Sequence, residues 1–255
     1  MTGKPSTYAR DYARLWSPVI RGMALAVLRH VPLGEARWVL DIGTGCGALV
    51  PALRAKAPGA RIVGIDRSEE MARSAAQTGI HVSVMDAEHL GLRKGRFDAA
   101  LAAFVLFFMP NPLAAMGEVR RTLRPGGLLA TVTWGEDRFA RAEQVWEREL
   151  EAAGAPPRPE HPSADQVNGP EKMEQLCLGA GLKPNRVWRE EFEHGWTPEA
   201  LLELKTAAGL ADRYRQLPES ARKRVVRLAR ERFAALDQAA FVWRPEVVYC
   251  VASRP

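Results

Sequence analysis

The stretch Val39-Leu40-Asp41-Ile42-Gly43-Thr44-Gly45-Cys46-Gly47-Ala48-Leu49 reads VLDIGTGCGAL: an apolar run, an acid, then three glycines at alternate positions. Glycines at 43, 45 and 47 can take positive φ and carry no Cβ, so a ligand can come close to bare backbone. Read as G-x-G-x-x-A (Gly43, Gly45, Ala48), the loop fits a dinucleotide site. Read as D-x-G-x-G-x-G, it fits another ligand. The surrounding chain has to decide.

Before the loop, residues 7 to 30 have helical spacing interrupted near Pro18, and Trp38 to Ile42 form a short buried strand. After it, helical propensity returns from Ala48 to Lys56, with Pro51 tolerated in the first turn. Strands follow at RIVGID (Arg61–Asp66), HVSVMD (His81–Asp86), the start of FDAALAAFVLFF (Phe97–Phe108) and LLATVTW (Leu128–Trp134). Between them lie helices at SEEMARSAAQ, where Ser68 is a natural N-cap, and at Leu113 to Leu123. Five apolar strands alternating with helices predict a parallel sheet covered on both faces, an α/β doubly wound, Rossmann-like fold.

Beyond Trp134 the pattern changes. A helix is expected in RFARAEQVWERELEAAG, a proline-crowded loop over 155–170, a helix in GPEKMEQLCLGAG, and a strand in RVWREEFEH. Two more helices, about Pro198 to Gly209 and Pro218 to Leu236, precede a final strand at Glu246 to Ser253. The organisation expected is a single domain over 1–255: an N-terminal helical lid (1–33), a core (34–135), a helical cap with a sixth strand (136–245) and the final strand (246–255).

The composition is that of a folded protein, with 47% hydrophobic and 26% charged residues. The longest apolar run, Ala99 to Met109, is too short for a membrane span, which needs roughly 20 residues. The first residues, MTGKPSTYARDYARLW, lack the apolar centre of a signal peptide, so a cytoplasmic protein is expected. Cys46, Cys177 and Cys250 are scattered, without the spacing of a zinc site or a disulfide framework. No metal is expected. Of the formal charge of +6, much comes from Arg222, Lys223, Arg224, Arg227, Arg230 and Arg232. Val225, Ala229, Phe233 and Leu236 recur among them at helical spacing, which describes an amphipathic helix with a solvated basic face.

In an open α/β sheet, ligands sit at the carboxyl ends of the strands where strand order reverses. This sequence puts Asp41 and the glycine loop at the first such end, Asp66 at the second, Asp86 at the third and Ala102-Ala103-Phe104 at the fourth. The Asp66 carboxylate suits two ribose hydroxyls. Asp86 suits the exocyclic amine of an adenine, and Ala87 offers a backbone N–H to a ring nitrogen. Together they describe a pocket for an adenosine.

The segments VLDIGTGCG, GIDRSEEM, VMDAEHL, FDAALAAFVLFFMPNP and EVRRTLRPGGLLATVTW resemble those of class I S-adenosylmethionine-dependent methyltransferases, and within them the ubiquinone-biosynthesis-type small-molecule branch. The resemblance spans Trp38 to Trp134, and the run from strand four through the LRPGG turn separates it from nicotinamide enzymes. It implies a seven-stranded sheet with the last strand antiparallel, S-adenosylmethionine as cofactor and S-adenosylhomocysteine as product. It further implies that Asp41, Gly43, Thr44, Gly45 and Gly47 hold the methionine end and that Asp66 binds the ribose, with Arg67 and Met71 beside it. Asp86 and Ala87 would hold the adenine, and Ala103 and Phe104 would line the sulfonium side.

Where methyltransferases acting on adenine or glutamine nitrogen carry Asn/Asp-Pro-Pro-Tyr/Phe, this chain has Ala103-Phe104-Val105-Leu106. Asn111 stands where relatives often carry an acid. The function expected is methyl transfer from S-adenosylmethionine to a small-molecule acceptor. The alternatives are an RNA methyltransferase that uses the basic 222–232 helix, and a non-catalytic S-adenosylmethionine-binding protein.

Methyl transfer from a sulfonium needs a base only when the acceptor must lose a proton. His194, after the sixth strand, and His161, in the proline-rich loop, are the candidates; His30, His81 and His89 read as structural. Trp134 is either a wall of the acceptor pocket or core. Phe107, Phe108 and Met109 read as core, with Phe104 the exception. Tyr8, Tyr12 and Trp16 repeat every four residues on one helical face, which is packing; in similar enzymes an N-terminal helix folds over the cofactor, which would bring Tyr12 to it.

Overall fold

The computed structural model describes residues 7–207 and 211–255. Residues 1–6, the start of the stretch read for a signal peptide, and Gly209, expected to end a helix, lie outside the described residues. The strands are β1 (Trp38–Ile42), β2 (Arg61–Asp66), β3 (His81–Val84), β4 (Phe97–Ala103), β5 (Leu123–Arg138), β6 (Lys183–Glu191), the two-residue β7 (His194–Gly195) and β8 (Val242–Ser253). Seven of them form one sheet in the order β3-β2-β1-β4-β5-β8-β6, with β7 paired to β8. The first five pair in parallel, and β8 runs antiparallel to both β5 and β6. This is the doubly wound sheet with an antiparallel last strand that the sequence predicts. Chain direction across the sheet reverses between β1 and β4, so the glycine loop after β1 opens at the switch point.

Helices cover both faces because neighbouring strand residues point opposite ways. The Tyr249 hydroxyl donates to Met23 O at 2.9 Å, in helix α2 (Ser17–Ala26). Next to it, the Cys250 Sγ lies 3.4 Å from Cys177 Sγ, in helix α8 (Pro170–Gly179), on the opposite face. Both thiols are free and buried.

Several boundaries differ from expectation: the sixth strand is Lys183–Glu191 rather than 186–194, with His194 in β7, and others shift for local reasons. Strands β5 and β8 are longer than their apolar cores because Asp137 pairs with Pro245 and Arg138 with Arg244, past a register shift after Trp134. Neither GEDR nor WRP has strand periodicity; antiparallel pairing with each other supplies the order. The third strand stops at Val84, since the Asp86 carboxylate accepts from Glu88 N at 2.9 Å and turns the chain. In the N-terminal helix, one widened turn over Tyr12–Trp16 precedes Pro18, which then occupies the first turn of α2 where its missing N–H has no partner to lose.

Helix α6 (Arg141–Ala152) organises the segment after β5. Helices α9 (Pro198–Ala207), α10 (Asp212–Arg215) and α11 (Glu219–Phe233) each send one cation to it. Lys205 Nζ meets Glu143 at 2.9 Å, Arg213 pairs with Glu147, and Arg232 meets Glu149 at 2.7 Å. The buried face of α11 is Val225, Ala229 and Phe233, as its spacing predicts. On its basic face Lys223 pairs with Glu219 and Arg227 with Glu231. Among the described residues, no helix is long and apolar enough to cross a membrane.

Candidate active site

The carboxyl ends of β1, β2 and β4 lie side by side, with Ile42 in register with both Ile65 and Ala102. The loop that leaves β1 turns in left-handed steps at Gly43, Gly45 and Gly47 (φ 63°, 56° and 79°). Two of these glycines are also sterically required. A Cβ at Gly43 would lie 2.3 Å from Val105 Cγ2, and one at Gly47 would lie 2.8 Å from Thr78 Cγ2 and 3.1 Å from Ala75 Cα. Val105 carried no signal in the sequence; only its contact with Gly43 identifies it.

Asp41 is 2% exposed. Its Oδ2 accepts from the Thr44 hydroxyl at 2.7 Å. Burial pushes its pKa up to about 7, with the Thr44 hydrogen bond opposing and the charge of Asp66 adding to the rise. A carboxylate so placed, with no cation paired to it among the described residues, suits a ligand ammonium. Thr44 itself faces inward: besides Asp41, it packs on Gly64 and its N–H donates to Ile65 O at 2.9 Å.

Asp66 ties the loop to β2. Its Oδ2 accepts from Gly45 N at 2.9 Å and its Oδ1 from Ser68 N at 2.9 Å. Each oxygen keeps lone-pair capacity for a further donor, which suits a vicinal diol. Ser68 caps helix α4 (Glu69–Ala76) by accepting from Met71 N, and Met71 is buried beside it while Arg67 is exposed. At the end of β3, Asp86 is exposed, held in its turn by the Glu88 N–H, and Ala87 is buried.

The N-terminal helix is tied to α4 and α9. The Ala9 N–H donates to Glu70 Oε1 at 2.6 Å, and Arg14 Nη1 lies 2.7 Å from Glu203 Oε1 in α9. Burial raises the Tyr12 phenol pKa, and the negative forms of Cys46, Tyr8 and Asp66 add to the rise, so the ring lies within electrostatic reach of the glycine loop. Asn111, by contrast, acts structurally: its Oδ1 accepts from Ala114 N and caps helix α5 (Pro112–Thr122).

At the end of β4, Ala103 is half-buried and Phe104 buried. Phe104 is the one non-glycine among the described residues with positive φ, 53°. For an L-residue this costs on the order of 1–2 kcal/mol. Its N–H donates to Val132 O at 2.7 Å, and its ring stacks on Trp134 at 4.2 Å. Trp134 in turn lies 5.6 Å from Trp243 and 6.4 Å from Trp16, so it is part of an aromatic cluster as well as the β5 strand end.

The two candidate histidines are separated. His161 lies at the surface, tilted against Phe107 at 5.0 Å and edge-on to Phe108 at 4.6 Å; Phe108 is itself exposed rather than core. His194 pairs across the sheet with Trp243 and lies edge-on to Trp196 at 4.3 Å. Burial lowers the pKa of both, with Arg158 a second cause for His161, which favours neutral imidazoles. Of the two, His194 lies on β7, which pairs with the strand that carries Trp243 of the aromatic cluster. Among the described residues no group of His, Cys, Asp or Glu is arranged to hold a metal ion.

Residues 40–131 match the family described as Methyltransferase domain. The chain is 37% identical over 189 residues to the demethylmenaquinone methyltransferase of Thermus thermophilus, an alignment covering 70% of this chain and 76% of that protein. It is 38% identical over 105 residues to the trans-aconitate 2-methyltransferase of an Azoarcus species, covering 41% of this chain and 42% of that one. Among solved structures, a phosphoethanolamine N-methyltransferase from Haemonchus contortus shares the fold with a TM-score of 0.57 at 17% identity, over 97% of this chain and 57% of that chain. Strand order, the glycine loop at the switch point and the extent of the Thermus match agree: this chain belongs to the class I S-adenosylmethionine-dependent methyltransferases.

Proposed function

We propose that the methyl acceptor of this enzyme is a small molecule, held between the strand-end site and the helical segment 136–245, under a lid made by residues 1–33. In this reading Asp41, Gly43, Thr44, Gly45 and Gly47 receive the methionine end of the donor. Asp66, Arg67 and Met71 receive the ribose, Asp86 and Ala87 the adenine, and Ala103, Phe104 and Tyr12 close around the sulfur. The observation that carries it is the tie between the glycine loop and Asp66: Gly45 N donates to a carboxylate that keeps lone pairs for the two hydroxyls of a ribose.

S-adenosylmethionine supplies a methyl group on a sulfonium, and the sulfur leaves as a neutral thioether. The task left to the chain is alignment and the exclusion of water. Asp41 offsets an ammonium and becomes fully ionised in doing so. Asp66 orients the ribose through two fixed acceptor oxygens. If the acceptor must lose a proton, His194, whose neutral form partial burial favours, is the candidate to take it.

Trans-aconitate and demethylmenaquinone appear in the names of the similar enzymes, and both are small molecules, which supports the acceptor class. On the basic face of α11, Lys223, Arg227 and Arg232 pair with Glu219, Glu231 and Glu149, which offsets part of the charge a nucleic-acid reading would use. Isothermal titration with S-adenosylhomocysteine tests the donor site: saturable binding that Asp66→Ala abolishes is expected, and binding unchanged by Asp66→Ala refutes the ribose assignment. Binding to RNA with a steep salt dependence would replace the small-molecule reading.

A further inference from the structure

Parallel strands all begin on one edge of their sheet, so the residues that open them come together opposite the donor site. Trp38 opens β1 in register with Arg61, which opens β2, and His81 opens β3 in register with Val63. With Arg54 of helix α3 (Val50–Lys56) and the turn at Gly79, they line a cavity of about 350 Å³. Arg54, Arg61 and His81 bring N–H donors to it, and no carboxylate among the described residues lines it. The cations are held in place. Arg54 Nη2 donates to Gly79 O at 3.1 Å, where a φ of 76° turns the chain toward β3. The guanidinium of Arg61 lies 5.3 Å, and that of Arg96 3.7 Å, from the centroid of the Trp38 ring. The indole is fixed in turn, edge-on to Phe97 at 6.3 Å, while Trp38 N donates to Asp98 Oδ2 at 2.8 Å.

Nothing among the described residues balances this charge. Asp98 is committed to Arg124 Nε at 2.6 Å and to the Arg37 and Trp38 N–H groups, and neither Arg61 nor Arg96 has a carboxylate in ion-pair contact. Arg93 and Lys94, exposed in the turn before β4, extend the same sign. The last turn of a helix favours a cation, which accounts for Arg54 in α3, but Arg61, His81 and Arg96 open or precede strands. Two guanidiniums that share one indole repel each other, and each keeps N–H groups free for an acceptor. An anion relieves that crowding. The donors reach the cavity from α3, β2 and β3, so they approach a ligand from different directions. A tetrahedral phosphoryl turns its oxygens outward to meet them and carries more than one charge, whereas a carboxylate offers two oxygens in one plane.

We infer that the cavity at the amino ends of β1, β2 and β3 binds a small phosphorylated compound, its phosphoryl group held by Arg54, Arg61 and His81. Arg96, over Trp38, adds to the positive field without lining the cavity. This site is separate from the donor site: β1 runs from Trp38 here to Ile42 at the other edge, and β2 from Arg61 to Asp66. Occupancy of one therefore leaves the other open, and the inference does not depend on how the donor is held.

The test is calorimetric titration of the full chain with inorganic pyrophosphate at constant ionic strength. Saturable one-to-one binding is expected, within twofold the same with and without S-adenosylhomocysteine and in Asp66→Ala. Arg61→Gln and Arg54→Gln should each weaken it at least tenfold, while Arg224→Gln on α11 leaves it within twofold. Arg54→Gln also removes the contact with Gly79 O, so Arg61→Gln, which breaks no hydrogen bond of the fold, carries the result if Arg54→Gln melts early. Malonate, a planar dicarboxylate, should bind at least tenfold more weakly than pyrophosphate. Absence of saturable binding at millimolar pyrophosphate, or binding indifferent to Arg61→Gln, overturns the inference. Equal malonate binding overturns the phosphoryl assignment. Competition with S-adenosylhomocysteine, or loss in Asp66→Ala, moves the anion to the glycine loop and overturns the separate site. A short single-stranded RNA that binds through Arg61 at least tenfold more tightly than pyrophosphate makes a nucleic-acid backbone the occupant and overturns the small compound.

Discussion

The backbone N–H of Gly45 donates to Asp66 Oδ2 at 2.9 Å, joining the loop after β1 to the acid that ends β2. The two residues lie on neighbouring parallel strands, and the bond fixes both the carboxylate and the loop before any ligand arrives. Asp66→Ala removes the acceptor from Gly45 N and Ser68 N together. With two hydrogen bonds to a charged group lost from the ligand as well, affinity for S-adenosylhomocysteine should fall by about 3–4 kcal/mol, or on the order of a few hundredfold. Asp66→Asn, which keeps one acceptor oxygen, should lose less; calorimetry on the two variants checks the order.

Asp41 predicts a pH dependence with a definite sign. Its pKa rises from 3.8 to about 7 on folding, so the ligand-free protein holds a proton that the unfolded chain releases. Stability from this group is therefore fullest below pH 4, is lost as pH rises toward 7, and is flat above that. Binding of an ammonium reverses the preference, so S-adenosylhomocysteine affinity should fall about tenfold between pH 8 and pH 6. Asp41→Asn should flatten both curves; denaturant melts and titrations at the two pH values measure them.

Gly43 meets two constraints at once. Gly43→Ala places a methyl 2.3 Å from Val105 Cγ2 at φ 63° and should destabilise by about 2–4 kcal/mol. Adding Val105→Ala removes the nearest atom but leaves the backbone strain and the Val105 Cβ, 2.8 Å away, so it should restore only part of the loss. Urea midpoints of the single and double variants separate the two costs.

Lys205 and Glu143 form a buried pair, with side chains 9% and 8% exposed. Lys205→Met leaves the glutamate uncompensated and should cost about 3–5 kcal/mol, whereas Lys205→Met with Glu143→Leu should return close to the parent or above it. A double-mutant cycle by thermal melting measures the coupling. Equal melting of the single and double variants would deny the pair any role in holding α9 to α6.

The parallel sheet, its helices and the Ser68 cap were legible because each rests on short-range chemistry: apolar runs, turn glycines and a hydroxyl before a helix. The acids at 41, 66 and 86 were legible as a set because strand ends converge on one edge of such a sheet. Other features rest on contacts between distant segments. The extended ends of β5 and β8 have no periodicity of their own and are ordered by each other. Val105 matters through Gly43, Trp243 through Trp16 and Trp134, and Lys205 through Glu143, pairs separated by tens to hundreds of residues.

VLDIGTGCGAL, with the strand ends after it, determined the doubly wound fold and a site suited to an adenosine, because hydrophobic period, glycine freedom and acid placement act locally along the chain; the methyl donor followed from the resemblance of these segments to methyltransferases. Tertiary structure alone decided that the Asp66 carboxylate is anchored to Gly45, that Asp41 is buried with no cation paired to it among the described residues, and that Phe104 is bent onto Trp134. Burial, desolvation and strain are properties of a packed environment, and no single stretch of sequence carries them.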